Sequence, residues 1–73
     1  MDKRTNLLIA RDLAYRNYVV AQNEADQAHE EFAQERDVKL QTELQKEWKL
    51  LRSEAEYLRG KWQQAIAAIQ FLE

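Results

Sequence analysis

Cysteine and proline are absent from the 73 residues, and glycine and histidine occur once each, as Gly60 and His29. Without cysteine there is neither a disulfide nor a thiolate metal site. With one histidine, a catalytic triad or His-cluster metal centre would have to be built around His29 alone. Asp26 and Glu30 lie within a helical turn of it, but no second histidine completes such a set. Ser53, Thr5 and Thr42 have no base at helical spacing, which leaves no activated nucleophile. A lone glycine makes no phosphate-cradling loop. The longest apolar run, Ala65 to Ile69, is far too short to span a bilayer, and no secretory segment follows Lys3 and Arg4. Eleven basic against thirteen acidic residues give a net charge of −2, which lacks the surplus that nucleic-acid binders use to release counterions. These absences predict a non-catalytic, cofactor-free and metal-free cytoplasmic protein with no nucleic-acid partner and no membrane span.

What is present is helix-forming. Ala, Leu, Glu, Gln, Lys and Arg dominate, and almost nothing interrupts them. From Leu44 the apolar positions run Trp48, Leu51, Ala55, Leu58, Trp62, Ala65, Ile69, Leu72, alternating steps of four and three. This average of about 3.5 residues keeps one seam turned toward a partner helix. A second seam reads Leu7, Arg11, Ala14, Tyr18, Ala21, Ala25, Ala28, Phe32, with three small alanines in succession. The two seams change phase across Gln34–Lys39, where Asp37 is a candidate N-cap.

The expected fold is therefore all-α. It is an antiparallel two-helix hairpin of one domain (1–73), with helix 1 about 6–34, a turn about 35–38 and helix 2 about 38–72. Thr5 or Asn6 would cap the first helix. Thr42 with Gln45 offers a second capping box for the other. A single unbroken helix is the rival, roughly 100 Å long at about 1.5 Å per residue. Folding back near residues 36–37 sets Ala25 against Trp48, Ala21 against Leu51, Tyr18 against Ala55 and Ala14 against Leu58. Large then faces small in each layer. The same register puts Glu24, Glu30 and Glu31 beside Lys49, Lys46 and Lys39, and Arg16 beside Glu54 and Glu56.

One hairpin cannot bury all the apolar residues. Leu8, Ile9, Leu13, Tyr15, Val19 and Val20 on helix 1, and Leu50, Tyr57, Ile66 and Phe71 on helix 2, lie off the seams. They are expected to form one patch at the open end, closing a homodimeric four-helix bundle or capturing another protein. In size and two-helix plan the chain resembles the small co-chaperones of bacterial type III secretion needle subunits and some phage-encoded inhibitors of host proteins. That resemblance is of architecture and rests on no motif. It implies an adaptor, co-chaperone or inhibitor that works by protein–protein interaction. The alternative is an oligomer that holds an anionic metabolite between Arg11, Arg16, Arg59 and Lys61. Arg11 could instead lie over the indole of Trp62.

Overall fold

The computed structural model describes residues 2–72, which form two α-helices, α1 (Lys3–Gln34) and α2 (Val38–Leu72), packed antiparallel. The longest dimension is 54 Å, about that of one 35-residue helix at 1.5 Å per residue. The continuous-helix rival is thereby excluded.

Local chemistry sets the helix limits. Asp2 caps α1 by accepting the Arg4 backbone N–H at 3.3 Å. The helix therefore starts before Thr5 and Asn6, which lie inside its first turn. Nothing between Asp2 and Thr5 resists helix, and aspartate is among the strongest N-caps. At the other end the chain turns with no glycine and no positive φ. Two carboxylates take over the work. Glu35, extended at φ −74° and ψ 131°, accepts the backbone N–H groups of Arg36 and Asp37, each at 3.1 Å. Asp37 then caps α2 by accepting the Lys39 N–H at 3.0 Å. Thr42 takes no part in capping. It lies within α2 and donates its hydroxyl to the Val38 carbonyl at 3.0 Å.

The core is a strip. Ala21, Ala25, Ala28, Ala55 and Ile69 are buried, and the larger seam residues flank them half-covered. Leu72, the last residue of α2, is the exception at 47% exposed. Four of the five buried side chains are alanines, so the axes approach closely but little apolar volume is enclosed. That suits the modest core that so short a chain can build.

The layers are offset from the expected register. Trp48 stacks on Phe32 (6.1 Å between centroids, 13° between planes), and Trp62 stacks on Tyr18 (5.8 Å, 11°). Leu51 shares a groove with Ala28, and Leu58 with Ala21. The two ring stacks lie one heptad from the expected pairings, although Ala25 with Trp48 and Tyr18 with Ala55 still line one cleft. The cause is side-chain tilt. Cα–Cβ bonds lean toward the N-terminus of their own helix. In an antiparallel pair α1 side chains therefore lean toward the open end and α2 side chains toward the turn. The α2 partner must then come from farther along the chain. Small against large survives for Ala21 with Leu58 and Ala28 with Leu51. It fails for the aromatic row, where ring meets ring.

Candidate interaction surfaces

Heptad rows divide the hairpin into two broad faces. One borders the row of Tyr18, Ala25, Phe32, Trp48, Ala55 and Trp62. Here each tryptophan is held between two α1 rings three residues apart. Trp62 meets Tyr15 (5.0 Å, 54°) as well as Tyr18, and Trp48 meets His29 (4.8 Å, 61°) as well as Phe32. The two clusters repeat with a two-heptad shift: Tyr15 to His29, Tyr18 to Phe32, and Trp62 to Trp48 in the opposite chain direction. Between them Ala25 and Ala55, 2% and 1% exposed, line a cleft of about 310 Å³. Its rim carries both signs. Arg52 pairs with Glu56 at 3.3 Å and lies 5.6 Å from the Trp48 ring centroid, while Gln22 donates to Asp26 at 2.9 Å. Toward the open end the same face carries a further groove, of about 540 Å³, lined by Arg11, Asp12, Tyr15, Trp62 and Ile66.

The opposite face borders the row where alanines meet leucines, and it differs in kind. Glu24 and Glu31 stand one heptad apart on α1, and Glu47 and Glu54 one heptad apart on α2. Two adjoining grooves lie between the helices. One, of about 320 Å³, is lined by Glu24, Glu31 and Glu47 over Ala28 and Leu51. The other, of about 380 Å³, is lined by Glu24 and Glu54 over Ala21 and Leu58, with Val20 at its edge. Among the described residues none of these four carboxylates has an ion-pair or hydrogen-bond partner. The expected cross-helix pairs with Lys39, Lys46 and Lys49 do not form. Helical spacing puts Lys39 and Lys46 on the outer row of α2 and Lys49 toward the aromatic face. Arg16 lies on the outer row of α1 and Glu56 on the aromatic face, so Arg16 does not pair across the seam with Glu54 or Glu56 either.

The ten off-seam apolar residues do not make one patch. Leu13 and Val20 on α1, and Leu50, Tyr57 and Phe71 on α2, edge the acidic face and are 54% to 95% exposed. Leu8, Tyr15, Val19 and Ile66 lie toward the aromatic face. Of these, Leu8, Val19 and Ile66 are half-buried, and Tyr15 is spent on Trp62. Ile9 points outward from α1. A helix periodicity list gathers apolar residues by helix, whereas the hairpin sorts them by which side of the seam they flank. Two exposed apolar residues at the turn end, Val38 and Leu40, were not anticipated. The glutamate grooves were missed as well, although Glu24/Glu31 and Glu47/Glu54 at heptad spacing beside the seam were a legible signal.

The basic residues of the metabolite reading do not converge. Arg11 turns to Asp12, with Nε and Nη2 both donating at 3.3 Å, so it leaves Trp62 to the tyrosines. Lys61 lies over Tyr57 with its Nζ 5.3 Å from the ring centroid, while Arg59 lines the cleft between the aromatic clusters. Among the described residues no group of His, Asp and Glu is arranged to hold a metal ion, and no helix is long and apolar enough to cross a membrane. No protein-family model, curated protein or solved structure matches the chain.

Proposed function

We propose that this chain is a non-catalytic protein-interaction module, an adaptor, co-chaperone or inhibitor, that binds a helical partner through the face edged by Leu13, Val20, Leu50, Tyr57 and Phe71. One observation carries the reading: five large apolar side chains, each more than half exposed, flank the same side of the seam. Monomeric proteins seldom leave such a surface bare. A hairpin has only one buried strip, so a third or fourth helix laid here would supply the volume that the alanine core lacks. A second copy would complete a homodimeric four-helix bundle, and a helix of another protein would complete a three-helix one.

Leu13→Glu tests the reading, by circular dichroism for helicity and sedimentation for association. The helices should persist, since Leu13 is 54% exposed and lies off the seam. Self-association, or capture of a partner, should be lost, because a charge would be buried unpaired at the contact. A Leu13→Glu protein that keeps both its mass and its partner would defeat the proposal.

A further inference from the structure

We infer that the occupant of the acidic face is a basic amphipathic helix of another protein, laid along the furrow between α1 and α2. The inference rests on the interaction-module reading and names its partner. Shape argues for a helix. The two grooves adjoin along the hairpin, and their floors repeat at one heptad, Ala21 to Ala28 and Leu58 to Leu51. A segment filling both must present apolar knobs at about i and i+7, which is a helix stripe.

Charge selects its sequence. Glu24, Glu31, Glu47 and Glu54 line the grooves without partners among the described residues, and the nearest cation on this face, Lys61, lies over Tyr57. A partner with Lys or Arg flanking its apolar stripe would meet all four. A second copy is the poorer occupant. Apposed turn to turn, two such faces would set four carboxylates against four, and like charges facing each other suppress a contact; apposed turn to open end, the four would lie over an apolar half where Lys61 is already placed over Tyr57. Docking the acidic face on another copy's aromatic face is a heterologous contact, and a pair so formed would still leave one face of each kind open.

The test is a displayed library of helical peptides with fixed apolar residues at i, i+4, i+7 and i+11 and flanking positions each Lys or Glu, selected on the immobilised full chain. Lys should be enriched over Glu at the flanks by about tenfold or more, as complementary fields demand. The preference should vanish when the same selection is run on E24Q/E31Q/E47Q/E54Q, whose helicity is checked by circular dichroism. A selected Lys-flanked peptide, labelled and titrated by anisotropy, should bind more weakly as salt rises and should not bind the Val20→Glu chain. Flanks without preference, or a preference that survives the glutamine variant, overturn the inference. If the chain instead self-associates in sedimentation and Val20→Glu disperses it, the interaction-module reading stands and the basic helix falls. No selected peptide and no self-association would end both.

Discussion

The two faces of the hairpin use the same residue types to opposite ends. On one, Tyr15, Tyr18, His29 and Phe32 close over Trp48 and Trp62, and Arg52 and Glu56 neutralise one another. On the other, Leu13, Val20, Leu50, Tyr57 and Phe71 stand outward, and four glutamates have no partner among the described residues. A seam between two helices has two flanks, and this sequence packs ring on ring along one of them and leaves Tyr57 and Phe71 exposed on the other. The aromatic flank holds the pair together. The acidic flank is left with shallow grooves, because alanine opposite leucine fills the seam but does not roof it.

If this division is right, the largest loss on substitution belongs to the aromatic flank. Trp48→Ala removes the shared member of a three-ring cluster. Burial and ring contacts together put the cost at about 3–5 kcal/mol, which is comparable to all that a core of this size supplies. Urea titration followed by circular dichroism should show the chain largely unfolded without denaturant. A Trp48→Ala protein that unfolds at the parent's urea midpoint would mean that the rings decorate the hairpin rather than close it.

A smaller effect should come from the floor of the same face. Ala25 and Ala55 are the most buried of the described residues, at the layer between the two aromatic clusters. Ala55→Leu has to push the helices apart there or force a strained rotamer, which costs about 1–3 kcal/mol. The matching change on the outer row, Ala67→Leu, should move stability by less than about 0.5 kcal/mol. Equal effects at the two positions in thermal melts would put the closest approach of the helices elsewhere.

Much of this architecture is legible in the sequence. The seam alternation, the phase change before Asp37 and the lack of breakers define two helices and the side on which they meet. What is not legible is where opposing side chains land. Counting outward from the turn treats side chains as perpendicular to the axis, but Cα–Cβ bonds lean toward the turn on α2 and away from it on α1, and the ring stacks form a heptad from the counted position. The slip hides the two-heptad repeat of ring clusters, which no single helix displays. The charges are misplaced for a separate reason: a count along the axis ignores the row, and the lysines expected beside Glu24 and Glu31 lie on other rows of α2. An unneutralised groove is a property of two helices at once. For the same reason one expected patch became two unequal ones.

The smallest effect, and the one that calibrates the rest, belongs to neither face. Gly60 lies on the outer row of α2 between the two flanks, inside unbroken helix, with negative φ and nothing within 4 Å of where a Cβ would stand. No close approach within the chain and no special backbone angle calls for glycine there. Gly60→Ala should therefore stabilise by about 0.5–1 kcal/mol, the usual difference in helix propensity, and raise the melting temperature by about 4–8 °C per kcal/mol for a chain of this size. Partner binding should be unchanged, since the added methyl touches neither flank. A stabilised chain that no longer binds its partner would show that the outer row of α2 is itself a contact surface, and the molecule would then have three faces to explain instead of two.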